Sequence, residues 1–128
     1  MKTVLLDTNF LLIPGTFSVD IFSELDRIVD QKYCLAVLDK TLDELKSITE
    51  KQKGKSREAA RLGLQIVQQK KIEVIETEKN KSVDALTVEI ANSKSFIVAT
   101  QDRELKKRLK EKNVAVVVLR QKNHLELK

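Results

Sequence analysis

Short apolar runs alternate along this chain with longer stretches in which apolar positions recur every three or four residues. The runs are Thr3–Leu6, Tyr33–Leu38, Ile72–Ile75, Phe96–Ala99 and Val114–Leu119. They are rich in Val, Ile and Leu, as strands buried on both faces should be, and such strands belong to parallel sheets. Between them Ile21, Leu25, Ile28 and Val29 keep helical spacing, as do Leu38, Leu42 and Leu45. The same holds for Leu62, Ile66 and Val67, for Val83, Leu86 and Ile90, and for Leu105 and Leu109. This alternation predicts an α/β protein, a three-layer α/β/α sandwich around a central, mainly parallel five-stranded sheet.

No segment rich in Pro, Gly or Ser divides the chain, and no repeat or low-complexity block interrupts it. The conspicuous break is EKQKGKSREAAR, residues 50–61, which reads as a basic turn around Gly54 between two helices. At 128 residues with 41% hydrophobic content, the chain is the size of one domain and can bury a core.

Charge and rare residues then narrow the chemistry. A formal net charge of +5 favours a polyanionic partner, which is a statement about association and not about fold. The single cysteine, Cys34, lies in an apolar run and excludes a disulfide framework; with only one histidine, His124, a His/Cys metal site is excluded too. Cys34 is expected in the core and His124 on a surface tail, while Phe10, Phe17, Phe22 and Phe96 read mostly as core. One Tyr and four Phe, not interleaved with basic residues, offer no base-stacking platform. No run is long enough for a membrane span and the N-terminus has no signal-peptide pattern, so a reducing, cytoplasmic setting is expected.

The ligands of open parallel sheets bind beyond the carboxyl ends of the strands. The first strand runs into Asp7-Thr8-Asn9 and the fourth into Thr100-Gln101-Asp102, which places two carboxylates at equivalent strand ends. Asp84 falls in the first turn of a helix whose cap is Ser82, and Glu44 lies within reach, about two turns into the helix after the second strand. Each acid has a plainer reading: Asp84 as a complement to a helix dipole, Asp102 or Thr100 as a helix cap, Glu44 as part of a solvated face. Asp7 is the hardest to explain away, because an ionised carboxylate ending a buried strand needs a compensating partner. Four acids at one sheet edge, without His or Cys, make an oxygen-only site suited to Mg²⁺ or Mn²⁺.

LLDTNFLL, LDELKSI, SVDALTVEIA and VATQDRELKKRL together resemble the four acidic motifs of the PIN (PilT N-terminus) domain nucleases, in the same order. Within that superfamily DTNFLLIPGTFSVDIFSEL and ATQDRELKKRLKEKNVAVVVLR are most similar to archaeal relatives of the PIN nuclease of the eukaryotic small-subunit processome, and less to the toxins of toxin–antitoxin pairs. The resemblance implies a single PIN-like domain over residues 1–128 and a divalent-metal-dependent endoribonuclease acting in ribosomal RNA processing. It implies Asp7, Glu44, Asp84 and Asp102 around the ion as catalytic and metal residues, with Asn9 and Thr100 as supporting polar groups. Gln101 stands where the family often has Asn, and Val83 where relatives often have a second Asp.

RNA is the partner this reading requires, with Lys46, Lys51, Lys53, Lys55, Arg57 and Arg61 as the candidate phosphate contacts. The KKRLKEK run in the last helix reads as a solvated face that could also help hold RNA. A homodimer and ribosome-assembly factors are partners that only the resemblance suggests. The alternatives are a toxin-type PIN ribonuclease and a weakly active RNA-binding assembly scaffold. A response-regulator receiver is disfavoured, because its phosphoacceptor Asp should end the third strand, where IEVIETEKN offers only Glu76 and Glu78. A haloacid-dehalogenase-type phosphatase needs an acid where Asn9 stands.

Overall fold

The computed structural model describes residues 1–128. In chain order the elements are β1 (Lys2–Leu6), α1 (Thr8–Leu11), α2 (Ile13–Phe17), α3 (Ile21–Ile28), β2 (Tyr33–Leu38), α4 (Asp39–Lys51) and α5 (Gly54–Gln69). They continue with β3 (Glu73–Ile75), α6 (Val83–Ile90), β4 (Phe96–Ala99), α7 (Arg103–Glu111), β5 (Ala115–Arg120) and β6 (His124–Leu127). The strands form one sheet in the order β3-β2-β1-β4-β5-β6. Each neighbouring pair is parallel except β5 and β6.

Because side chains alternate across a strand, β1 feeds two cores. Val4 and Leu6 join Leu11, Ile21, Leu25, Leu45 and Ala60 on one face, and Leu5 joins Leu86, Leu105 and Leu109 on the other. The first core is roofed by α1 to α5 and the second by α6 and α7, which makes the three layers. No helix is long and apolar enough to cross a membrane.

The sheet has six strands, not five. β6 turns His124, expected on a tail, into a half-buried strand residue, and Leu125 is fully buried. The hairpin leading to it sets Gln121 and Lys122 at φ 53° and 61°, a conformation usually signalled by Asn or Gly. Without that signal, and with only His124–Leu127 to show alternation, the strand does not stand out in the sequence. Its outer edge is closed at Leu125. The Leu125 N–H donates to Glu24 Oε1 and its carbonyl accepts from Arg27 Nη2, each at 2.9 Å, while Arg27 and Glu24 pair with one another across one turn of α3.

Four further placements differ from expectation. Leu38 ends β2 and belongs to the α6–α7 core, so the inward stripe of α4 is Thr41 and Leu45. Phe17, at the end of the short helix α2, is 38% exposed. Cys34 is only half-buried, its Sγ 3.2 Å from Thr3 Oγ1. The break between α4 and α5 is confined to Gln52 and Lys53, and Lys55, Arg57 and Arg61 lie within α5.

Candidate metal centre

The strand order reverses direction between β1 and β4, the place where chains leaving adjacent parallel strands turn to opposite faces and open a crevice. Asp7 and Thr100 stand directly after those two strands. The Asp7 N–H is held by the Ala99 carbonyl at 2.9 Å, and the Asp7 carbonyl accepts from the N–H groups of Phe10 and Leu11 as α1 begins. Fixed in this way, the Asp7 side chain is 5% exposed.

Hydroxyl groups then join the acids in pairs. Thr100 Oγ1 donates to Asp7 Oδ2 at 2.7 Å and accepts from the Asp102 N–H at 3.1 Å, so its single proton has one direction to point. Thr8 Oγ1 donates to Glu44 Oε1 at 2.5 Å, which ties α4 to the end of β1. Asn9 Oδ1 accepts from the Gln101 N–H at 3.1 Å, and Gln101 Oε1 accepts from the Leu119 N–H at 2.7 Å. The longer Gln101 side chain therefore fastens the loop after β4 to the end of β5.

Charge is unbalanced here. Burial raises the Asp7 carboxyl from 3.8 to about 6; hydrogen bonds from Thr100 and Thr8 oppose that rise, and the Asp84 and Glu44 charges add to it. Asp84 is also raised, first by burial and then by Asp102 and Glu44, with Arg108 partly offsetting them. None of the four acids forms an ion pair with a basic side chain. This is the donor set and the uncompensated charge that a hard cation would neutralise. No three of the carboxylates stand close enough to cage a bare ion, whereas Mg²⁺ keeps several waters and takes only one or two carboxylates directly.

Asp102 fills two positions that the sequence offered as alternatives. It is the N-cap of α7, Oδ1 accepting from the Leu105 N–H at 2.8 Å, and its charge acts on Asp84. Ser82 likewise caps α6, accepting from the Ala85 N–H at 3.2 Å, which sets Asp84 in the first turn. Asn caps as well as Asp does, so Asp102→Asn removes charge and keeps the cap, while Asp102→Ala removes both. In EDTA at neutral pH the Asn variant should melt no lower than wild type. The Ala variant should lie about 1 kcal/mol below the Asn variant. Equal melts for the two variants would show that the cap contributes nothing.

The expected phosphate contacts lie on the surface. Lys46, Lys51, Lys53, Lys55, Arg57 and Arg61 are exposed on α4, the turn and α5, and Arg61 faces Glu58 at 3.8 Å. Lys51 lies roughly 10 Å further along α4 than Glu44, from the helical rise, and none of the six forms an ion pair with the four acids. Two residues that do take part were not among the candidate site residues, Thr8 and Arg108, the second read only within the KKRLKEK face. Thr8 could have been suspected from its place between Asp7 and Asn9. Arg108 could not, since nothing in the sequence reveals that α7 lies beside α6.

Residues 4–122 match the family described as PIN like domain. The chain belongs to the PIN-like domain family. Within it, the chain is 28% identical over 127 residues to ribonuclease VapC4 of Methanocaldococcus jannaschii, covering 99% of this chain and 97% of that protein. It is 26% identical to ribonuclease VapC9 of Archaeoglobus fulgidus, over 94% of this chain and 85% of that one. Among solved structures, the PIN domain endonuclease Utp24 superposes with a TM-score of 0.78 at 22% identity, covering 98% of this chain and 90% of that one. A domain of a functionally unknown protein from Methanocaldococcus jannaschii gives 0.60 at 17% identity, covering 94% and 92%. These superpositions establish the PIN fold for the sandwich described above.

Proposed function

We propose that this PIN-like domain is a divalent-metal-dependent endoribonuclease acting in ribosomal RNA processing, with Mg²⁺ or Mn²⁺ held, directly or through retained waters, by Asp7, Glu44, Asp84 and Asp102. One observation carries the reading: carboxylates from four separate elements act on one another at the β1/β4 crevice, with no basic side chain paired to any of them. Two curated relatives named as ribonucleases, matched over most of the chain, support the RNA-cleaving activity. The likeness of the first and last motifs to relatives of the small-subunit processome nuclease supports the processing role.

When bound, such ions activate a water and stabilise the leaving oxygen of a phosphodiester. The chain's own residues supply the rest. Thr100 and Thr8 hold the carboxylates of Asp7 and Glu44 in fixed rotamers. Asn9 and Gln101 keep the two strand-end loops in register, so the acids need not reorganise when charge develops.

An internally structured, 5′-labelled RNA incubated with the protein should be cut at internal positions with Mn²⁺ and left whole in EDTA. RNA that stays intact with Mn²⁺ would overturn the nuclease reading. RNA bound but uncut would leave the weakly active scaffold. The toxin-type role shares this chemistry and differs in genomic setting: an antitoxin gene beside this one would favour it over RNA processing.

A further inference from the structure

On the α6–α7 side the sheet extends beyond its helical roof. α7 covers β4 and part of β5, and the remainder of β5 with β6 forms the floor and far wall of a cleft of about 210 Å³. Val114, Val116 and Val118 make the floor, and Lys106, Lys110 and Lys128 stand around it. Lys106 and Lys110 are one turn apart on the same face of α7. Lys128 is held opposite by its backbone, which exchanges hydrogen bonds with Val116 at 2.7 and 2.9 Å.

None of the three ammonium groups has an ion-pair partner. Glu126, two residues before Lys128 on β6, is engaged by Arg120 at 3.5 Å and His124 at 3.2 Å. The valines are only 3–6% exposed. A protein docking here would find little apolar surface left to bury, and lysine is depleted in protein interfaces. A chain of anions would instead find regularly placed positive charge, because Lys106 and Lys110 lie about 6 Å apart along the helix axis.

The cleft also leads to the acids. Lys106 is one turn of α7 from Asp102, and Val118 lies next to Leu119, whose N–H is bonded to the Gln101 side chain. We propose that this α7–β5–β6 cleft is the track for a single RNA strand entering or leaving the site, with Lys106, Lys110 and Lys128 holding successive phosphates. The proposal rests on the nuclease reading above and moves the phosphate contacts from the α4–α5 turn to α7. The cleft contains no aromatic ring or side-chain amide, so binding there is independent of base identity.

The test is affinity for a short oligouridylate in EDTA, where nothing is cut, measured over a range of salt. Lys106, Lys110 and Lys128 are changed together to Gln, which removes the charge and keeps part of each aliphatic stem. A second triple, Lys32, Lys70 and Lys71 to Gln, removes the same charge at the opposite edge of the sheet. The cleft variant should lose at least about tenfold in affinity, and its log–log salt slope should be shallower by about 2, at roughly 0.7 per phosphate contact. The control triple should change the slope little. Lys110→Glu alone, at an exposed position, should weaken binding in the same direction. Equal slopes in the two triples would overturn the track, as would a cleft variant that loses polyglutamate but keeps RNA, which would assign the cleft to an acidic protein. Failure of the nuclease reading looks different: intact RNA under Mn²⁺, whatever the salt slopes.

Discussion

Asp7→Asn should melt higher than wild type in EDTA at pH 7.5 and cleave RNA with Mn²⁺ at least about a hundredfold more slowly. The folded carboxyl titrates at about 6 against an ordinary 3.8, so between those values the native state holds a proton that the unfolded chain has lost. Wild-type stability in EDTA should therefore fall as pH rises from about 4 to about 6 and stay low above that, a loss of roughly 3 kcal/mol at most. The Asn variant has no such titration, and its amide oxygen can still accept from Thr100. Thermal melts at pH 4.5 and 7.5 read the difference directly. Millimolar Mn²⁺ should raise the wild-type Tm at pH 7.5 by mass action and leave the variant nearly unmoved. An Asn variant that melted lower than wild type at pH 7.5 would mean that the protein itself compensates the Asp7 charge, and the metal centre would lose its main support.

Gly15→Ala should be among the most destabilising single-methyl changes in the chain. A Cβ at Gly15 would lie 2.5 Å from the Ala59 Cα and 2.9 Å from its Cβ, so the obstacle is a helix backbone that cannot rotate away. Overpacking of this kind costs about 1–3 kcal/mol, roughly 3–5 °C in Tm per kcal/mol at this chain length. Because α2 follows α1 directly and α1 follows Asp7, separating α2 from α5 should also shift Thr8 and Asn9. Metal affinity should fall along with the Tm, as calorimetric titration would reveal. A stable variant with unchanged Mn²⁺ affinity would show that α2 can move without disturbing the site.

The five parallel strands could be read from the sequence because each lies in a short run rich in apolar residues, and hydrophobic runs depend only on local composition. The acids were legible for a related reason: Asp7 and Asp102 follow such runs, and Ser82 announces the helix that carries Asp84. β6 was hidden because its turn uses Gln121 and Lys122 in a backbone conformation their side chains do not advertise. The dual position of Asp102 was hidden as well, since capping and charge coupling looked like rivals until α7 was seen beside α6. The placement of the basic residues was less legible because exposure, unlike burial, leaves no periodic trace; α4–α5 and α7 look equally solvated in sequence, and only the fold shows that Lys106 and Lys110 line a cleft beside β5.

The Glu24–Arg27 clasp on Leu125 bears on how the protein behaves in a crowded solution. An exposed strand edge is a template on which another chain can add, and here its outward N–H and C=O at Leu125 are already satisfied from within the same molecule. Arg27 and the Leu125 N–H both hold the Glu24 carboxyl below its ordinary range, so the clasp persists into mildly acidic conditions. Once Glu24 takes up a proton, the amide loses its acceptor and the guanidinium its counter-ion. Protonation of Glu24 should thus open this rim of the sheet to pairing with another chain while its interior is still packed, which light scattering on acidification would read.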